Sequence, residues 1–253
     1  MRYLVMLISM FWLQSTFAFS FQNHRVICQM AYEQLTPKAQ QGVDQAVSKT
    51  TFKNFAEACP WPDQIRQQAN YKHTKSWHYI NVPRSANKVS KSHCSAQGCL
   101  FTGIEQAQQR LKKNTNDWQA LLFLSHFIGD LHQPLHVSYA DDRGGNKVHL
   151  QYRKKATNLH SEWDGGLLKR KKWQQHSEEL LQQITSSDSK KWRRGGLEDW
   201  ATESLLITQD AYRLLPVSKK INDKYVTYFA PKLEQQMQKA SVRLAAMLQS
   251  IYG

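Results

Sequence analysis

The sequence predicts a mainly α-helical single domain with one short β-hairpin, and three observations carry that prediction. Apolar residues recur at helical spacing in several segments, cap and stop residues punctuate those segments, and only one short stretch alternates with a period of two. The 253 residues, 41% hydrophobic and 11% aromatic, suffice for the core of one ordinary domain. No internal repeat, low-complexity tract or long linker divides the chain.

Residues 1–18 read as a secretory signal. Arg2 precedes the apolar run Tyr3–Leu13, which is too short to span a bilayer, and Gln14-Ser15-Thr16-Phe17-Ala18 is a small-residue cleavage pattern. The mature domain then covers residues 19–253. Thr36-Pro37 is an N-cap followed by proline at the first helical position, and Val43, Ala46 and Val47 continue one face. From Asp117, the residues Trp118, Leu121, Leu122, Leu124, Phe127, Ile128 and Leu131 crowd a buried central helix that Pro134 stops. Val148–Tyr152 alternates after the Gly144-Gly145-Asn146 turn, which marks a strand or hairpin. The polar run Thr185–Ser189 reads as a loop. Trp200–Leu215 and Tyr225–Tyr252 return to helical periodicity, with Met237, Ala240, Leu244, Met247, Leu248 and Ile251 as a core stripe.

Lys plus Arg number 34 against 20 Asp plus Glu, a net charge of +14, and removal of Arg2 with the signal leaves +13. Such a balance favours polyanionic partners, and the length of the apolar stretches excludes a membrane-spanning helix. Export permits disulfides among Cys28, Cys59, Cys94 and Cys99. Cys94 and Cys99 flank a four-residue loop, so their pairing is the easiest, which leaves Cys28 with Cys59. Reduced thiols or zinc-ligating cysteines are the alternatives, and the absence of a CxxC pair counts against the latter.

The chemistry lies in histidines and aspartates. His126 and Asp130 are spaced i, i+4 on the central helix, and His160 and Asp164 repeat that spacing on a second segment expected to be helical. Asp63 and His78 sit beside aromatics, where an unpaired charge is costly. One His-x-x-x-Asp is more often a helix-face hydrogen bond, but two such units together with His24, Asp63, His78 and His136 point to a site for several metal ions, with zinc the natural match to imidazole and carboxylate. The remaining His73, His93, His132, His149 and His176 fit no ligand pattern and read as surface, loop or supporting residues.

These residues resemble the S1/P1 nuclease family, whose fold is related to that of zinc phospholipase C. The resemblance runs through Phe19–His24, Leu35–Ala39, Trp61-Pro62-Asp63 with Arg66, Trp77–Asn81, His126–His136, Asp142–Asn146, His160–Asp164 and Arg243–Ala245. It implies three zinc ions. One is expected on Asp63, His78, His126 and Asp130, a second on Asp130, His24 and the amino group and carbonyl of Phe19, and a third on His136, His160 and Asp164. The family usually begins its mature chain with Trp, and Phe19 stands at that position here; backbone ligands make the change a small one. The resemblance further implies that Asp63 orients the attacking water, that Arg66 neutralises phosphate charge, and that Tyr79, Asn81 and Asn146 form a nucleobase pocket. The purely structural alternative has Tyr79 in the core, Asn81 in a turn and Asn146 left-handed after two glycines.

The leading expectation is a zinc-dependent phosphodiesterase, periplasmic or secreted and taken as a monomer. It hydrolyses single-stranded DNA and RNA to 5′-phosphate products and acts on 3′-nucleotides. Basic clusters at Arg153–Lys155, Lys169–Lys172 and Lys190–Arg194 are either a phosphate track or solvated faces. A phospholipase C shares the metal chemistry, but no aromatic-aliphatic loop suited to membrane docking is evident. A non-catalytic polyanion binder with structural zinc is the rival from another class. Structural zinc has four protein ligands, whereas the third set offers three, which favours an enzyme.

Overall fold

The computed structural model describes residues 19–169 and 171–253, so the proposed signal, residues 1–18, lies outside the described residues. Helices dominate, in the order α1 (Phe21–Glu33), α2 (Pro37–Val47), α3 (Phe55–Ala58), α4 (Trp61–Ile65), α5 (Leu100–Lys113), α6 (Trp118–Leu131), α7 (Leu159–Ser161), α8 (Trp173–Gln182), α9 (Ser186–Trp192), α10 (Leu197–Arg213) and α11 (Asp223–Tyr252). Strand β1 (Ile80–Val82) pairs in parallel with β2 (Val137–Tyr139). The hairpin β3 (His149–Tyr152) and β4 (Lys155–Asn158) gains a parallel neighbour in β5 (Lys220–Ile221).

Helix α6 is the axis. Asp117 caps it by accepting the Ala120 amide at 3.0 Å and is itself gripped by Arg110 through two 2.9 Å bonds. Every residue from Ala120 to Leu131 is buried, and α5, α1, α2, α4, α10 and α11 pack around it. A helix surrounded in this way needs apolar residues on all sides, and its few polar side chains, Ser125, His126 and Asp130, require specific partners. Gly129 permits a close crossing with α1. A Cβ there would meet His24 Nδ1 of α1 at 2.8 Å, so the absence of a side chain lets α1 bring its histidine against α6.

The expected caps and core hold at several points. Thr36 accepts the Ala39 amide at the start of α2, and Met237, Ala240, Leu244 and Leu248 are fully buried on α11, with Met247 and Ile251 at the edge of that core. Both expected disulfides are present, Cys28–Cys59 and Cys94–Cys99. The first ties α1 to the segment before α4 and closes a loop whose length corresponds to about 3–4 kcal/mol of loop-closure entropy.

Four local expectations are corrected. The central helix stops at Leu131 instead of reaching Pro134, because the residue before a proline is forced out of the helical region, and Gln133 is extended at φ −82°, ψ 112°. Thr185–Ser189 is no loop: Thr185 caps α9, exchanging bonds with Asp188 in a capping box that uses Asp where Glu or Gln is usual. The His160–Asp164 segment is not a regular helix but the single turn α7 followed by a π-turn, Glu162–Gly166. The left-handed residues after Asp142 are Arg143, Gly144 and Gly145 and do not include Asn146.

Candidate metal centre

The i, i+4 spacing on α6 places His126 and Asp130 one turn apart on the same face, and three other elements close over that face. His24 comes from the first turn of α1, Asp63 from α4, and His78 from the end of the 3-10 segment Ala69–His78. His136 ends the 3-10 turn Pro134–His136, while His160 and Asp164 lie on α7 and the π-turn. All eight side chains are buried or nearly so. They form three groups, His24/His126/Asp130, Asp63/His78/His126 and His136/His160/Asp164, within each of which the potential ligand atoms lie no more than 4.8 Å apart.

The internal contacts leave this cluster underbonded. His78 Nδ1 approaches Asp130 Oδ2 at 2.9 Å, and His126 Nε2 approaches Asp130 Oδ2 at 3.3 Å. His136 Nδ1 reaches Asp130 Oδ1 at 3.1 Å, and the His24 and His126 rings stack with centroids 3.8 Å apart. Yet both ring nitrogens of His24 and His136, both oxygens of Asp63, Nε2 of His78, Asp130 Oδ1 and Asp164 Oδ2 are buried without a hydrogen bond of proper geometry. Buried polar groups in native proteins almost always have partners. Orphaned imidazole nitrogens and carboxylate oxygens converging on one another are the donor set that zinc takes, so the residues present fit metal ions.

Backbone carbonyls set the ring orientations. His126 Nδ1 bonds the Cys59 carbonyl at 3.1 Å and His160 Nδ1 bonds the Gly144 carbonyl at 2.7 Å. A carbonyl only accepts, so each Nδ1 carries a proton and each Nε2 is turned inward. Gln133 Nε2 donates to Asp164 Oδ1 at 2.7 Å and steadies that carboxylate.

Electrostatics in the metal-free cluster follow from burial among opposite charges. Burial pushes the His24 pKa down to about 4, with His126 adding to the effect, and burial also lowers His78 and His160. For His126 burial acts downward too, but the Asp130 and Asp63 carboxylates outweigh it and raise the pKa to about 9. His136 goes to about 10 in the same way, with Asp130 and Asp164 overcoming burial. Asp130 stays well below the usual carboxylate range because His126 and His136 outweigh the opposing effect of burial.

The cluster opens through His78, His136 and His160 into a cleft of about 480 Å³. Arg66, at the C-cap of α4, lines it and lies 3.2 Å from Asp63. Tyr79, Asn81 and Asn146 also line it. Tyr79 is 41% exposed and Asn81 lies on β1 with its side chain outward, so neither has the core or turn placement of the structural alternative. Lys75 and Arg143 complete the basic wall. Both were missed from sequence: Lys75 stands one turn before His78, and Arg143 sits inside the Asp142–Asn146 motif without having been singled out. The structure also separates the leftover histidines, since His132 and His176 are buried while His73 and His149 are exposed.

A helical domain built over three buried His/Asp groups at the floor of a basic cleft defines the class: a fold and site suited to metal-dependent hydrolysis. The chain belongs to the S1/P1 nuclease family, whose model matches residues 19–253. Endonuclease 2 of Arabidopsis thaliana is 28% identical over 92% of this chain and 90% of its own length. Nuclease P1 of Penicillium citrinum is 28% identical over 91% of this chain and 97% of its own, and nuclease S1 of Aspergillus oryzae is 26% identical over 94% and 93%. The protein is a hydrolase of this nuclease family, acting on nucleic acids, and no helix among the described residues is long and apolar enough to cross a membrane.

Proposed function

We propose that the protein is an exported, three-zinc phosphodiesterase that cleaves single-stranded DNA and RNA to 5′-phosphate products and removes phosphate from 3′-nucleotides. The convergence of orphaned His and Asp atoms beneath a basic, aromatic-rimmed cleft carries the reading. Asp63, His78, His126 and Asp130 hold the first ion, and Asp130 with His24 and the Phe19 backbone the second. His136, His160 and Asp164 hold the third. Bound zinc supplies Lewis acidity, polarising phosphate and acidifying water. Asp63 orients the attacking water, and Arg66 neutralises the charge that develops on phosphate. Tyr79 stacks an unpaired base whose edge Asn81 and Asn146 read, which a base in a duplex does not permit.

Removal of residues 1–18 frees the Phe19 amine. The position supports its use as a ligand: the Phe19 ring is buried edge-on to His24, and Ser20 N and Asn23 Nδ2 each donate to the Asp164 carbonyl at 2.8 Å. An α-amine has a lone pair to give once deprotonated, near pH 7.7–8.0 in reference peptides, and a peptide nitrogen does not. The two disulfides support a periplasmic or extracellular location.

The test is zinc counting on protein beginning at Phe19, with hydrolysis of single-stranded DNA, RNA, 3′-AMP and phosphatidylcholine measured side by side. About three zincs with nucleotide substrates preferred is the expected result. Preference for phosphatidylcholine would make the protein a phospholipase, and zinc uptake without hydrolysis of any substrate would make the metal structural. A matched chain with a few residues before Phe19 should hold less zinc and turn over more slowly, and equal values would remove the amine from the ligand set.

A further inference from the structure

The wall of the cleft between β2 and β3 has an unusual backbone. Arg143, Gly144 and Gly145 are consecutively left-handed, at φ +58°, +64° and +80°. For arginine that conformation costs about 1–2 kcal/mol, and at Gly144 a Cβ would lie 2.6 Å from the Leu135 carbonyl oxygen. A segment held in this way needs an external restraint.

Asp142 supplies it. Only 8% exposed, this carboxylate accepts the Gly145 amide through Oδ1 at 2.8 Å. Through Oδ2 it accepts the Tyr212 hydroxyl and Arg84 Nη2, both at 2.8 Å. Arg84 is fixed in turn, its Nε on Asp141 at 2.9 Å and its guanidinium 4.3 Å from the Tyr139 ring centroid and 5.1 Å from that of Tyr212. Three distant segments, around residues 84, 142 and 212, therefore meet on one carboxylate. The restrained loop ends at the Gly144 carbonyl, which accepts His160 Nδ1 at 2.7 Å. That bond leaves His160 Nε2 facing Asp164 Oδ2 at 3.6 Å, with the ring stacked on His136 at a centroid distance of 5.1 Å.

We propose that Asp142, clamped by Arg84 and Tyr212, is a positioning residue for the His136/His160/Asp164 metal site, placing the Gly144 carbonyl that keeps the His160 proton on Nδ1 and its lone pair on Nε2. The inference rests on the reading of that trio as a metal site. Asp142 belongs to none of the three ligand groups and does not line the cleft. It acts through the loop, so its effect is specific to one ion of the set.

The experiment compares the purified, disulfide-bonded protein with Asp142→Ala and with Arg84→Met. Arg84 is half-exposed, so the second variant keeps the fold while loosening the clamp. Stepwise zinc affinities are measured by chelator competition, imidazole protonation in the zinc-free protein by 15N NMR, and stability by melting. Both variants should weaken one zinc by about 10–100-fold, as loss of an outer-shell partner does, while the other sites stay unchanged and excess zinc restores full loading. The His160 nitrogens should shift from a single Nδ1-protonated form to a mixture of tautomers. Equal weakening of every zinc, or unchanged zinc affinities and His160 signals with only a lower melting point, would overturn the inference and leave Asp142 a loop staple. A wild-type chain that loads no zinc on His160 would overturn the reading of the trio itself, and this inference with it, whereas normal loading in wild type and variants alike would remove the inference alone.

Discussion

Two buried polar clusters adjoin the C-terminal half of α6, and they differ in how their hydrogen bonds close. His132, two residues after Asp130, is completely buried, yet both its nitrogens are used: Nδ1 bonds the Ile128 carbonyl and Nε2 accepts Arg243 Nη1, each at 2.7 Å. Arg243 is just as deep and spends its remaining donors on the Trp192 carbonyl at 2.8 Å and on Glu203 at 2.9 and 3.0 Å, with its guanidinium over Trp200. His126 and Asp130, on the same stretch of chain, face a cluster full of unbonded nitrogens and oxygens. Equal burial therefore says little about role. Around His132 protein partners close the network, whereas around His126 and Asp130 imidazole nitrogens and carboxylate oxygens converge unbonded, which is the arrangement a metal site requires.

The comparison can be broken at its strongest point by Asp130→Asn. Asp130 groups with His24 and His126 and lies 2.9 Å from His78, which is the placement the proposed sharing between the first and second ions requires; an amide is a poor substitute for a shared carboxylate, so zinc content should fall by about two ions and hydrolysis by more than about 100-fold. Normal stoichiometry and turnover would show that the open cluster does not need its central carboxylate.

Zinc removal should be the next largest effect. At zinc 1,000-fold above Kd, each ion contributes about 4 kcal/mol, and a domain of this size loses about 2–4 °C per kcal/mol. Chelation should therefore lower the melting temperature by about 8–16 °C for each ion removed, and an unchanged melt would show that metal does not explain the orphaned atoms.

Arg243→Met tests the closed side. It strips His132 Nε2 of its donor and leaves Glu203 with Lys239 alone, for an expected loss of about 2–4 kcal/mol, with zinc content intact. Loss of zinc at undiminished stability would reverse the assignment of the two clusters.

The smallest effect is a pH slope in the zinc-free protein. His126 and His136 are raised from 6.5 to about 9 and about 10 because the carboxylates outweigh burial. Their contribution is complete below the unfolded value of 6.5 and is lost as pH rises through 9 to 10. His132 acts oppositely: burial and then Arg243 depress it, as burial depresses His24, His78 and His160, so these groups weaken the fold only below pH 6.5. Without zinc the melting temperature should therefore fall as pH rises from 7 to 10. With zinc bound, those protons are displaced and the slope should vanish. A slope that survives zinc would place the titrating groups elsewhere.

The histidines show what was legible in the chain and what was not. His126/Asp130 and His160/Asp164 could be paired from spacing because a helix turn puts i and i+4 together, which is local geometry. His132 looked peripheral because its partner Arg243 is 111 residues away, and no local pattern announces such a bond. The π-turn at Asp164 is hidden for a related reason: its i, i+4 spacing is compatible with an ordinary helix, while the segment carries a non-helical Gly165 and its Asp164 carbonyl accepts the distant Ser20 N and Asn23 Nδ2.

By itself the sequence determined what short-range physics controls. Helical periodicity, the cap at Thr36, the strand or hairpin after Gly144-Gly145, the disulfide pairing and the residue types of a multi-metal site all follow from contacts within a few turns or from donor chemistry. Only the tertiary structure decided how α1, α4 and α6 converge, because that depends on close crossings such as His24 over Gly129. It alone separated satisfied from unsatisfied histidines, and it alone joined Arg84, Asp142 and Tyr212 behind His160. Hydrogen bonds between residues 50 to 140 positions apart have no signature in local spacing, so their closure, and with it the line between interior and site, becomes visible only when the chain is folded.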